Sequence, residues 1–310
     1  MDNTKIEWTD ATWNCLRGCS RVSEGCRNCY AERVAARFSG PGMAYEGLAR
    51  MVKLVGPRDK NSEARWTGEV RLIEDALEAP LRWKRPRRIF VNSMSDLFHE
   101  KVTDEMLHRI FSVMFKASAT NHNGHTFQIL TKRPKRMLEW ARRWTDSYGD
   151  PLAPNCPRIW WGVSVEDQAT ADERIPLLLQ CPAAIRWVSA EPLIGRLALD
   201  EFWMHGNAYD GLDRIHWVVI GGESGIGARP FHLKWARSMI AQCRESSIPI
   251  FVKQLGACAI DEENGLAGAA VRVPSEAAPL VSKRLENKKG GDMAEWPEDL
   301  RVREYPERRG

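Results

Sequence analysis

The chain has 310 residues, 43% hydrophobic and 28% charged, and its 45 Lys and Arg against 41 Asp and Glu leave a formal net charge of +4. It is too apolar for a disordered chain, too charged for a membrane protein and too long for a disulfide-stapled miniprotein. The small positive charge permits an anionic partner without demanding one.

The segment Met1 to Asp10 is polar and lacks a long apolar stretch, so no signal peptide and no membrane span are expected, and the cytoplasm is the expected compartment. Clustered cysteines there read as metal ligands or catalytic thiols before they read as disulfides. Short β-branched or aromatic runs then follow, each ending in polar or glycine residues: Lys5 to Trp8, Glu69 to Ile73, Arg88 to Asn92, Thr126 to Leu130, Ile159 to Val163, Arg186 to Val188, His216 to Ile220 and Pro249 to Lys253. From Arg88 onward they recur about every 30 residues, the length of a strand plus a crossover helix. The fold class this predicts is α/β, a parallel (β/α) barrel of eight strands, complete or partly open and TIM-barrel-like.

Between the runs, helices are predicted from apolar stripes: Met106, Ile110, Val113 and Met114 after the capping residue Thr103; Met137, Ala141 and Trp144 after Pro134; and Ala236, Met239, Ile240 and Cys243. Ser39 to Trp66, rich in Gly and charge, interrupts the rhythm as an insertion or lid. Residues 1–258 are therefore expected to form the barrel, with the insertion at about 39–66, and residues 259–310 a C-terminal extension packed on it.

Four of the eight cysteines, Cys15, Cys19, Cys26 and Cys29, fall within fifteen positions between the first strand and the first helix. Thiolates bind soft metals and iron-sulfur clusters, and Gly18 and Gly25 let the backbone bend around such a centre. Four ligands suit a closed structural zinc or a fully ligated cluster, whereas three leave one iron of a [4Fe-4S] cluster open; spacing alone does not choose. Cys156, Cys181, Cys243 and Cys258 are scattered and read as core or inert thiols.

Cys19-x6-Cys26-x2-Cys29-Tyr30, the preceding Trp13-Asn14, Ser93 to Phe98, Gly221-Gly222-Glu223-Ser224 and the tail from Gly290 to Arg303 together resemble a phage-associated, three-cysteine-motif family of unassigned function. In that family the Cys15 position is not normally a cysteine, which implies that Cys15 is dispensable and that the ligands are Cys19, Cys26 and Cys29. A more distant similarity, through the cysteine loop, Leu130-Thr131-Lys132 and Gly162-Val163-Ser164-Val165, is to the spore photoproduct lyase-like branch of the radical S-adenosylmethionine superfamily. The cysteine spacing here is six then two, where that superfamily usually has three then two. The similarity implies a [4Fe-4S] cluster, S-adenosylmethionine, an electron donor and hydrogen abstraction from a substrate.

In parallel barrels chemistry gathers at the C-terminal strand ends. Those ends hold Ser93, Ser95 and Asp96; Thr131, Lys132 and Arg133; Ser164, Glu166 and Asp167; Ser189 and Glu191; Gly222, Glu223 and Ser224; and Lys253 and Gln254. Asp96, Glu166, Glu191 and Lys253 are the candidates for catalysis. For a zwitterionic cofactor such as S-adenosylmethionine, Lys132 is expected near the carboxylate and Glu223 near the amine, with Ser164, Gly221 and Gly222 beside them.

The expected function is thus a radical S-adenosylmethionine-type enzyme acting on an unknown substrate. The basic stretches Arg82 to Arg88 and Lys132 to Arg143 make a nucleic acid or nucleobase an expected substrate class. An alternative is a zinc- or cluster-stabilised nucleic-acid-binding protein without catalysis, with Cys15 as a fourth ligand. A carboxylate hydrolase using Asp96, Glu166, Glu191 and Glu223 is a third.

Overall fold

The computed structural model describes residues 4–53, 62–119, 124–145, 149–199, 214–225, 227–269 and 283–306. In chain order the strands and helices are β1 (Ala11–Trp13), β2 (Leu16–Arg17), α1 (Tyr30–Arg37), β3 (Ala49–Lys53), β4 (Ser62–Trp66), β5 (Arg71–Leu72), α2 (Glu74–Leu77), β6 (Arg88–Val91), α3 (Asp104–Ser118), β7 (Thr126–Thr131), α4 (Pro134–Arg143), β8 (Ile159–Val165), α5 (Gln168–Leu179), β9 (Ile185–Ala190), β10 (Trp217–Gly221), β11 (Phe231–His232), α6 (Leu233–Glu245), β12 (Ile250–Gln254), β13 (Ala259–Asp261), β14 (Leu266–Ala267) and β15 (Lys283–Arg284). Seven strands pair in the order β1-β6-β7-β8-β9-β10-β12, all parallel. They curl into a half-barrel, a partly open (β/α) barrel. Among the described residues no helix is long and apolar enough to cross a membrane.

Each strand alternates between two cores. One face, with Ile89, Phe127, Ile129, Trp161, Val163, Val188 and Val218, joins the apolar stripes of α3, α4, α5 and α6 in one buried cluster. The other faces inward. There Phe90 stands opposite Gln128, Gln128 opposite Trp160, and Trp160 opposite Ile185. The next row up runs Leu130, Gly162, Trp187 and Trp217, and the row above that holds Ser164, Ser189, Val219 and Phe251. The interior therefore turns from tryptophan to serine as it nears the C-terminal rim. Gly162 is required in this stack, because a Cβ there would lie 2.4 Å from Trp187 Nε1.

Two of the expected strands differ. Lys5 to Trp8 is not a strand; Ile6 and Trp8 alternate because both pack into the barrel interior, Trp8 edge-on to Phe90 at 4.7 Å and to Trp187 at 5.3 Å. Of Glu69 to Ile73 only β5 is a strand, and it pairs antiparallel with β2 outside the barrel while Val70 and Leu72 pack on the outer core. The open seam between β1 and β12 is bridged from below. Residues 302–304 run beside β12, with Val252 N–H donating to Val302 O at 2.9 Å and Glu304 N–H to Ile250 O at 3.0 Å. Tyr305 stacks on Trp217 at 5.7 Å, receives the Arg88 guanidinium over its ring at 4.1 Å and donates to Glu7 O at 3.3 Å.

Of the expected insertion, β3 and β4 form an antiparallel hairpin lying on α1 through Tyr45, Leu48, Ala49 and Ala64; residues 54–61 lie outside the described residues. Of the expected extension, β13, β14 and β15 join β11 in a small sheet, and Leu285, Trp296 and Leu300 enter the outer core; residues 270–282 and 307–310 lie outside the described ones.

Candidate functional site

The segment from β1 to α1 carries the clustered cysteines, and long-range contacts fix its path. Cys15 O accepts from Ile73 N–H at 2.8 Å, and Gly18 bridges to Ser95. Gly18 adopts φ +95°, and a Cβ there would meet Glu69 O at 2.0 Å, so only glycine allows this crossing. Beyond it, three strand ends clamp the loop. Arg133, after β7, donates to the Ser20 hydroxyl at 2.7 Å and to Asp96 Oδ2 at 3.0 Å. Glu166, after β8, accepts from the Ser23 hydroxyl at 3.0 Å. Glu223, after β10, accepts from Asn28 Nδ2 at 2.9 Å.

This clamping brings Cys19, Cys26 and Cys29 to one cavity of about 790 Å³ at the C-terminal rim of the half-barrel. All three thiols are free and half-buried. Burial pushes the Cys19 thiol up to about 12; Asp96 and the two neighbouring thiols add to the rise, and Arg133 opposes it. Cys29 is raised as well, by burial and by Cys26. Metal would have to displace these protons. Among the described residues no three His, Cys, Asp or Glu side chains meet closely enough to hold a single ion. Cys15 does not line the cavity. It is fully buried in the outer core, where its Sγ–H points at Asn92 Oδ1 at 3.6 Å. The cysteines that line the cavity are therefore Cys19, Cys26 and Cys29, beside the carboxylates Asp96, Glu191 and Glu223; the three soft thiols are the donors that could hold an iron-sulfur cluster.

Residues 3–296 match the family described as Protein of unknown function (DUF5131). The chain belongs to the DUF5131 family. No curated protein matches it. A solved structure titled spore photoproduct lyase complexed with dinucleoside spore photoproduct is similar at a TM-score of 0.37 and 10% identity, over 79% of this chain. The chain spans 64% of that structure's length.

The other residues singled out in this DUF5131 protein divide by what they already touch. Asp96 is buried with both oxygens occupied: Oδ1 accepts from Phe98 N–H at 2.9 Å and the Thr131 hydroxyl at 2.7 Å, and Oδ2 from Lys132 N–H at 3.2 Å as well as from Arg133. Lys132 Nζ lies 2.6 Å from Glu166 Oε1 and also contacts the Ser164 hydroxyl. Glu166 is shared further with Arg174 at 3.2 Å. Burial favours its neutral form, but Lys132 and Arg174 outweigh that and hold the carboxyl below its ordinary value. Glu223 is engaged by Arg229 at 2.7 Å and by Asn28; these bonds, against the effect of burial, lower its carboxyl too. The residues expected to meet a cofactor's carboxylate and amine are thus each in a protein ion pair.

Glu191 and Lys253 face each other across the cavity wall, Nζ to Oε1 2.8 Å, above Gly221, where a Cβ would press on Glu191 Oε1 at 3.0 Å. Gly222 lets the β10 end lie on the chain after β12, since a Cβ there would meet Leu255 O at 2.4 Å. The cavity also reaches Trp8, Phe90 and Leu130 at its base and Lys5, Lys288 and Lys289 elsewhere on its wall. In the two basic stretches many charges have internal partners: Arg136 donates to the His99 and Val102 carbonyls, Arg143 lies 3.0 Å from Asp104, and Arg88 3.2 Å from Asp10. Ser20, Ser23, Asn28 and Arg229 were not visible as site residues from sequence. Their one local signal is that three of them lie within the cysteine segment itself.

Proposed function

We propose that the protein is a radical S-adenosylmethionine-type enzyme in which Cys19, Cys26 and Cys29 ligate a [4Fe-4S] cluster. The observation that carries this reading is the shared exposure of those three thiols to one rim cavity, with Cys15 turned into the core. When bound, the cluster and S-adenosylmethionine supply reductive cleavage and hydrogen abstraction, with the electron coming from an external donor. The chain's own residues then have separable tasks. Arg133, Glu166 and Glu223 hold the cysteine loop on the strand ends. Trp8, Phe90 and Leu130 make the base of the cavity apolar and keep water out. Lys253 Nζ holds a proton against Glu191 Oε1 on the wall, available to a substrate group placed there.

The proposed substrate class is a nucleobase or nucleic acid. Lys5, Lys288 and Lys289 can meet phosphate while Trp8 and Phe90 offer aromatic surface in the same cavity. The proposed compartment is the cytoplasm, where thiols and cluster stay reduced. Anaerobic reconstitution should give a brown protein with about four irons per chain, whose reduction cleaves S-adenosylmethionine. A colourless protein holding one tight zinc would overturn the proposal.

A further inference from the structure

Asn92, at the end of β6, is 3% exposed and lines the cavity. Its backbone is fully engaged, with N–H donating to Trp13 O at 2.8 Å and O accepting from Ser95 N–H at 3.3 Å. Its side-chain oxygen accepts from Leu16 N–H at 3.2 Å, at the root of the cysteine loop. A backbone N–H can only donate, so this contact fixes the amide orientation, with Oδ1 toward Leu16 and Nδ2 away from it. Nδ2 is buried and has no hydrogen-bond partner in the protein. A buried donor left unmade costs free energy that a hydrogen-bond acceptor restores. The residue also sits at φ +59°, in the left-handed region that Asn, Asp and Gly tolerate best. While Lys132 and Glu223 are taken up in protein ion pairs, Asn92 keeps an unmet donor on the cavity wall.

We infer that Asn92 Nδ2 is a ligand-binding group that donates to an acceptor oxygen of S-adenosylmethionine, an inference that rests on the function proposed above. One amide then joins the bound molecule to the cysteine loop, Nδ2 on the ligand and Oδ1 on Leu16. Asn92→Asp preserves the left-handed backbone and the acceptor for Leu16 but replaces the donor with a second acceptor. Asn92→Gly preserves the backbone and removes both.

The test is equilibrium binding of S-adenosylmethionine to the anaerobic, cluster-loaded protein, read beside iron content and Tm. Binding should weaken by about tenfold or more in both variants, with iron per chain and Tm of Asn92→Asp close to those of the wild type. Should the aspartate variant fail to fold, Asn92→Gly carries the same comparison. Affinity within about twofold of wild type in a folded variant overturns the inference and leaves the proposed function standing. Weakened binding that only tracks lost iron assigns Asn92 a structural role and likewise overturns it. Wild-type protein that holds the cluster but does not bind S-adenosylmethionine overturns both.

Discussion

The Ser23 hydroxyl donates to Glu166 Oε1 at 3.0 Å, joining the cysteine loop to the end of β8 across 143 positions of sequence. The same oxygen is 2.6 Å from Lys132 Nζ, so one carboxylate links the loop to the lysine at the end of the neighbouring strand β7. Loop and rim are thereby joined in one polar network.

Gly25 makes this contact possible. A Cβ there would lie 2.2 Å from Glu166 Oε1, inside any permitted contact, and Glu166, buried and held by Lys132 and Arg174, cannot easily give way. Gly25→Ala is expected to cost about 1–3 kcal/mol and to lower iron uptake. Gly40→Ala, whose nearest contact would be Met43 Sδ at 3.4 Å, should change neither. Thermal unfolding and iron assay of the two proteins check this, and equal behaviour would count against the clamp.

The cysteines should separate into two groups on substitution. Cys19→Ala, Cys26→Ala and Cys29→Ala are each expected to lose most of the iron after anaerobic reconstitution, whereas Cys15→Ala keeps it. Cys15 is fully buried among apolar neighbours, so its truncation should still lower stability, by about 1 kcal/mol. Loss of iron in Cys15→Ala would point to a four-cysteine site.

Asp261 supplies a pH dependence remote from the thiols. Burial favours its neutral form, but hydrogen bonds from Arg237, at 2.8 Å, and from Asn264 outweigh burial, and the folded carboxyl lies below its ordinary value. As pH falls, the unfolded chain therefore binds the proton first. The stabilisation is complete above the ordinary Asp range and disappears as pH drops through the folded value. The Tm gap between wild type and Asp261→Asn should hold steady down to about pH 5 and narrow below about pH 4. A gap that stays constant to the acid limit of folding would contradict this assignment.

Trp8 is buried at the barrel base against Phe90, Trp187 and Trp217. Trp8→Ala should destabilise the protein by about 3–5 kcal/mol. Because Trp8 also lines the cavity, near-ultraviolet circular dichroism should change together with Tm. A stable variant with an unaltered spectrum would show that the packing there is loose.

Much of the half-barrel was legible because β6 to β10 and β12 are buried on both faces and so read as apolar runs broken by polar ends. The same logic failed at Ile6 and Trp8, where period-two alternation arises from a segment packed inside the barrel with no strand partner. The cysteines were legible as a group by their density. The tasks of Lys132 and Glu223 were not, because their partners are set by the fold: Asn28 reaches Glu223 across 195 positions, and Glu166 takes Lys132 from the neighbouring strand. A charged residue at a strand end looks the same in sequence whether it awaits a ligand or holds a loop.

The hydrogen bond from Tyr305 to Glu7 spans 298 positions. Contacts of that separation form late, since the whole intervening chain must be arranged before they gain anything. During synthesis the cysteine loop emerges early and its strand-end clamps in turn, but Trp217 has no stacking partner until Tyr305 has followed. The order in which the protein is made thus runs from thiols to barrel base. A ribosome-bound chain displays the thiols of Cys19, Cys26 and Cys29 before the space behind them is sealed.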